Sequence, residues 1–170
     1  MIRSILLLSI LFSAITLRTY SQDTIPLKRA AYKLNVAVDN ESFYAQDIKE
    51  APYVLPDKTI QLYPGETVYI EVEQENGTIK NLKAVNEIKD SSKTVIISFS
   101  QTVKKRVHEN MMLKVNNPFP YQLIYEARIF RLVQKKWGVT DVYPVEAGLY
   151  GIEIWHEVII SIALSDWKLH

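Results

Sequence analysis

Apolar and polar residues alternate along most of this chain with the period of two that marks a half-buried β-strand. Tyr32, Leu34, Val36 and Val38 point one way and Lys33, Asn35 and Ala37 the other. Val68, Ile70 and Val72 share a face, with Thr67, Tyr69, Glu71 and Glu73 opposite. The clearest alternation runs over residues 111–132, where Met111, Leu113 and Val115 are followed, past Asn116-Asn117-Pro118-Phe119-Pro120, by Leu123, Tyr125, Ala127 and Ile129. That stretch is expected to be a core hairpin of two antiparallel strands. At Ile129-Phe130 the apolar set switches to Phe130 and Leu132. A one-residue slip reverses every side chain, so it predicts a bulge or a change of sheet.

Turn signals divide the rest, and from Ile60 onward they predict a run of hairpins. Tyr63-Pro64-Gly65-Glu66 has proline then glycine at the centre of a type II turn, and Asn76-Gly77 supplies the left-handed dihedrals of a tight hairpin. The return strand over residues 79–88 is polar and breaks its alternation between Asn81 and Leu82, which predicts an edge strand or a bulge. Residues 94–101 carry Val95, Ile96, Ile97 and Phe99 and read as a central strand. Residues 139–145 form a short strand that Pro144 confines to an edge, after a turn tipped by Trp137-Gly138. Residues 151–155 form another strand, and residues 158–164, apolar on both faces, form a central one paired with the hairpin. Two stretches lack a clean period. Residues 43–58, with Pro52 and Pro56, are expected to be an irregular crossover between sheets, and residues 102–110 a loop or single turn.

About eight or nine strands with no long amphipathic helix predict an all-β fold, an antiparallel β-sandwich. Val115-Asn116-Asn117-Pro118 followed by Leu123-Ile124-Tyr125 resembles the hairpins of immunoglobulin-like binding modules on exported proteins. The resemblance implies an immunoglobulin-like sandwich and, being confined to the level of fold, no particular function.

The first residues change the picture of location. Arg3, an apolar run from Ile5 to Leu17 broken only by Ser9, Ser13 and Thr16, and a polar end read as a secretory signal peptide. The run is shorter than the roughly 20 apolar residues of a membrane span. Residues 1–22 are therefore expected to be removed after Ser21 or Gln22, leaving residues 23–170 as one domain without a membrane span. The chain has no cysteine, so it carries neither a lipoprotein thiol nor a disulfide. Both facts favour a bacterial periplasm or cell exterior. Losing Arg3 and Arg18 takes the formal net charge from +1 to −1, which offers no electrostatic footprint for nucleic acid.

Candidate chemistry is sparse. Nucleophilic catalysis needs a Ser, Thr or Cys beside an oriented base, and His108, His156 and His170 sit in no such pattern. His156-Glu157 begins like a zinc-protease helix, but Ile160 stands where the second histidine belongs. Met111, Met112 and His108 would suit copper(I), except that adjacent strand residues point to opposite faces. Glu71, Glu73 and Glu153 read as solvated outer faces. No catalytic residue, metal or cofactor is expected. What remains is aromatic: Tyr69, Trp137 and Trp155 are candidate binding residues, able to anchor a partner or stack on a sugar. The leading expectation is an exported, non-enzymatic module that binds a protein partner at the bacterial cell envelope through an edge strand or aromatic patch. The alternative is small-ligand or carbohydrate binding, which requires Trp137 and Trp155 to share one concave surface.

Overall fold

Each apolar stripe needs a second apolar surface to cover it, and a chain made of such stripes closes by stacking sheets. The computed structural model describes residues 26–170; the expected signal peptide, residues 1–22, lies outside the described residues. In chain order the strands begin with β1 (Lys28–Arg29), β2 (Tyr32–Ala37), β3 (Phe43–Ile48), β4 (Ala51–Pro52) and β5 (Ile60–Leu62). The middle of the chain forms β6 (Glu66–Glu75), β7 (Thr78–Val85), β8 (Thr94–Lys104) and β9 (Val107–Asn116). Last come β10 (Leu123–Arg131), β11 (Lys136–Thr140), β12 (Tyr150–Trp155) and β13 (Ile159–Leu169).

The described residues contain no helix, and every strand pairing is antiparallel. A four-stranded sheet runs β11-β10-β13-β5 and a five-stranded sheet β12-β9-β8-β6-β7. The inward residues of both, among them Ile70, Ile97, Phe99, Leu113, Leu123 and Ile162, form one buried cluster, an arrangement consistent with a β-sandwich. Two short pairs, β1-β4 and β2-β3, complete the thirteen strands.

A second, smaller core explains the slip at Ile129-Phe130. Leu34, Val36, Ile48 and Ile160 form a separate buried cluster, with Phe130, Leu132 and Val158 packed against it. The β2-β3 hairpin thus covers the outer face of the four-stranded sheet, so the apolar side of the chain changes because a new surface needs covering. The register does shift there, but the extra residue is on the partner: β10 pairs Phe130 with Ser161 and Arg131 with Ile159, leaving Ile160 of β13 unpaired, while β10 itself keeps its alternation through Phe130. The polar return strand is likewise an edge, β7, with a bulge where Glu73 pairs with Asn81 but Gln74 with Ile79. The strand over residues 94–101 is central as expected, since β8 lies between β9 and β6.

Four sequence readings require correction. The stretch over residues 111–132 is not a hairpin: β9 belongs to the five-stranded sheet and β10 to the other, so the chain arches across the core. The arch closes on Asn117, buried at 1% exposure. Its side-chain amide donates to the carbonyls of Tyr121 (2.6 Å), Val145 (2.9 Å) and Glu146 (3.2 Å), and its oxygen accepts from the Phe119 N–H (3.0 Å). Similarly, the Pro64-Gly65 turn forms as expected, with Glu66 N–H donating to Tyr63 O, but it is a corner between sheets. Residues 43–58 are not wholly irregular: β3 pairs along its whole length with β2, and the two residues of β4 pair with β1. Most β3 side chains are solvent-facing, which removes the alternation that would have revealed it.

Residues 102–110 form the β8-β9 hairpin, whose two-residue turn is Lys105-Arg106. Both have positive φ (50° and 72°), the type I′ geometry that Asn76-Gly77 adopts in the β6-β7 hairpin with φ of 50° and 75°. A turn with neither Gly nor Asn gave no signal. Arg106→Gly is expected to raise stability and Gly77→Ala to lower it, each by about 1 kcal/mol. Open space surrounds the position a Gly77 β-carbon would take, so only its dihedral is at stake. Urea midpoints moving in opposite directions would verify both turns.

One flank of the sandwich is closed by the N-terminal strands through a buried ion pair. Arg29, 3% exposed, meets Glu66 twice, Nε to Oε1 at 2.8 Å and Nη2 to Oε2 at 3.2 Å, and also donates to the Gln61 carbonyl. Its guanidinium lies 4.8 and 5.1 Å from the rings of Tyr53 and Tyr63. Burial, reinforced by the Glu66 charge, pushes the Tyr32 phenol well above its ordinary range, so this ring remains a hydrogen-bond donor to the carboxylate.

Candidate functional site

Sheets expose unpaired N–H and C=O groups only at their edges, so β5, β11, β7 and β12, the four edge strands of the two large sheets, are where those sheets can recruit another chain. Three are guarded. Residues 53–54 cover β5, with Gln61 N–H donating to Tyr53 O and Val54 bridged to Ile60. On β7 the guards are its bulge, Lys80 and Lys83, and Lys58 Nζ reaches the Ile79 carbonyl at 3.4 Å. The third, β11, is only five residues long and begins on an exposed lysine, Lys136.

The fourth edge, β12, reads Tyr-Gly-Ile-Glu-Ile-Trp and has no lysine, proline or bulge. Its outward side chains are apolar: Tyr150, Ile152 and Ile154 are 58%, 54% and 54% exposed. Beside them on the neighbouring strand stand Lys114 and Met112, which are directly opposite Ile152 and Ile154. Lys114 Nζ lies 4.3 Å from the Tyr150 ring centroid, holding that ring against the sheet. Of the thirteen strongly exposed large apolar side chains among the described residues, five, Tyr143, Leu149, Tyr150, Ile152 and Ile154, lie in β12 or in the segment that leads into it. Isolated exposed apolar residues are ordinary; here Tyr150, Ile152 and Ile154 stand in a row along one edge strand.

The inner side of the same strand is locked in place. Val145 packs so closely on Gly151 that a β-carbon would meet its Cγ2 at 2.6 Å, which is why glycine stands there. Glu153 Oε1 accepts from the Tyr143 N–H at 2.8 Å, and Trp155 Nε1 donates to Thr140 Oγ1 at 3.1 Å. The edge is therefore preorganised by its buried face.

The three candidate aromatics do not come together. Tyr69 stands on the outer face of the five-stranded sheet, half-buried, opposite Ile96. Trp137 lies within β11 on the outer face of the four-stranded sheet, not on a turn tip, with its ring edge-on to Phe130 at 5.7 Å. Trp155 points inward against the main core. Sequence placed Trp155 and the pair Ile152 and Ile154 on opposite faces of one strand; the tertiary structure turned the isoleucines outward. Pro144 falls outside β11, in the connection whose Val145 bridges Leu123.

The other residues weighed for chemistry also have settled places. Met111 is in the core while Met112 is on the outer face, so they do not converge. His108 Nε2 donates to the His156 carbonyl at 3.2 Å, which leaves Nδ1 to accept from the Gln101 amide at 2.8 Å. Gln101 in turn brackets the Ala37 backbone at 2.8 and 2.9 Å, tying β2 to β8. Burial pushes the Tyr125 phenol far up, with the Glu153 charge adding to the effect; the ring is stacked on Trp167 at 4.9 Å as part of the core.

No family model, curated protein or solved structure matches the chain.

Proposed function

We propose that this chain is an exported, non-enzymatic module of the immunoglobulin-like sandwich kind that binds a protein partner at the bacterial cell envelope by strand addition at β12. The observation that carries the reading is the contrast between the edges of the two large sheets: β5 is covered, β7 carries lysines and a bulge, and the short β11 begins on a lysine, whereas β12 presents three exposed apolar side chains with no lysine, proline or bulge. Natural sheets blunt their edges to avoid indiscriminate pairing, so an edge left bare is one that is meant to be covered. In strand addition the main chain supplies hydrogen bonds and alternate side chains supply selectivity, here through Tyr150, Ile152 and Ile154. The signal-like N-terminus and the lack of cysteine support the envelope as the compartment.

Carbohydrate binding by the aromatics finds less support, since Trp137 and Trp155 occupy different surfaces.

A photo-crosslinking residue placed at Ile152 tests the proposal in cells, with the same residue at Lys83 on the guarded edge as the comparison. A discrete protein adduct from position 152 alone is expected. Equal adducts from both positions, or none from position 152, would remove strand addition at β12.

A further inference from the structure

The β12 edge is its own complement, and we infer that it pairs with β12 of a second copy of this chain, which rests on the reading of β12 as a recognition edge. The Asn117 N–H donates to Leu149 O at 2.9 Å, one step beyond the pair Tyr150 and Asn116 at the end of the β9-β12 ladder. Antiparallel ladders alternate between hydrogen-bonded and non-hydrogen-bonded pairs. Gly151, Glu153 and Trp155 therefore turn their backbone groups toward β9, and Tyr150, Ile152 and Ile154 turn theirs outward. Among the described residues, no backbone bond outside the ladders reaches those three.

Three outward residues at spacing two fix a symmetric register. A two-fold axis at Ile152 sets Ile152 against its own copy and Tyr150 against Ile154 of the second chain, so all three pairs exchange backbone hydrogen bonds. On the outer face this gathers aromatic and β-branched side chains across the strands, a favourable cross-strand combination. The opposite face gives the stronger argument. Glu153, the one charged residue of β12, falls opposite Gly151, which has no side chain, and its carboxylate is already held by the Tyr143 N–H. No like charges meet directly in this register. Lys114, the nearest cation on the adjoining strand, is occupied with the Tyr150 ring.

The product is a continuous sheet in which the five strands of each copy join edge to edge. A six-residue strand is about 20 Å long. Pairing over that length lies at the small end of specific interfaces, so dissociation is expected in the micromolar range.

Sedimentation equilibrium of the mature chain at concentrations up to about 500 μM is the test. Wild type is expected to fit a monomer-dimer equilibrium. Ile152→Lys and Ile152→Glu each set like charges face to face on the axis and are expected to raise the dissociation constant by at least about tenfold. Mixed in equal amounts, the two variants are expected to dimerise again, which a variant damaged in folding would not do. Ile88→Lys, at an exposed apolar residue outside the strands, is expected to behave as wild type. A wild type that stays monomeric, or a dimer indifferent to Ile152→Lys, overturns self-pairing. The partner reading is judged separately: an Ile152 crosslink at twice the chain mass supports self-pairing, and one to a different protein leaves recognition by β12 standing without it.

Discussion

Arg29→Met is expected to lower the free energy of unfolding by about 3–5 kcal/mol, the range for removing one member of a buried ion pair. The Glu66 side chain is 9% exposed, and its two oxygens take the Arg29 guanidinium, the Tyr63 N–H and the Tyr32 hydroxyl. Without the cation, a carboxylate remains in an apolar surround with neutral donors only. The loss should therefore exceed what the missing contact area of the side chain would give. The double variant Arg29→Met, Glu66→Leu is expected to be more stable than the single one, because it removes the uncompensated charge. Urea unfolding of the wild type, both single variants and the double variant gives the coupling directly. A double variant no better than Arg29→Met would mean that the guanidinium acts by packing between Tyr53 and Tyr63 and not through charge. Since the pair anchors β1 to the corner before β6, these variants should also loosen the closed flank while leaving β12 intact.

Asn117→Ala should cost about 3 kcal/mol. Four hydrogen bonds to the backbone are lost, each worth about 1 kcal/mol net. The Val145 carbonyl still accepts from Leu123 N–H at 2.9 Å, which keeps the cost from rising further. Asn117→Asp is expected to be at least as damaging at neutral pH, because its carboxylate would face the carbonyls of Tyr121, Val145 and Glu146. Such an acid has its pKa raised in the folded state, so the deficit should shrink as pH falls and protonation restores a donor. Thermal unfolding at pH 7 and pH 5 would separate the two variants. This substitution reaches β12 as well. Asn117 holds Val145 and Glu146, and Val145 is the residue packed on Gly151 of β12. Asn117→Ala is therefore expected to speed amide exchange along residues 145–154, whereas Arg29→Met is not.

Much of the candidate site was legible as strands and faces. The β12 segment announced itself as a strand with Ile152 and Ile154 on one side and Trp155 on the other. What could not be read was which side faced the core, since both are apolar. That depended on Thr140 and the main core standing opposite Trp155, contacts made by residues distant in sequence. The strand β3 was illegible for the opposite reason: solvent on most of its side chains erased the period.

The sequence by itself determined that the described chain is built of antiparallel strands, where several of them turn, which residues share a face along the strands that alternate, and that the apolar set changes at Ile129-Phe130. Only the tertiary structure decided which strand each one pairs with. Residues 111–132 make the point. A strand, a turn and a strand with the same faces buried satisfy one alternation whether they pair side by side or cross from one sheet to the other, because in both cases the inward stripe leaves water. The deciding groups were the buried amide of Asn117 and the distant carbonyls of Val145 and Glu146 that it satisfies. Periodicity is local and records burial; pairing is non-local and records where the backbone hydrogen bonds go.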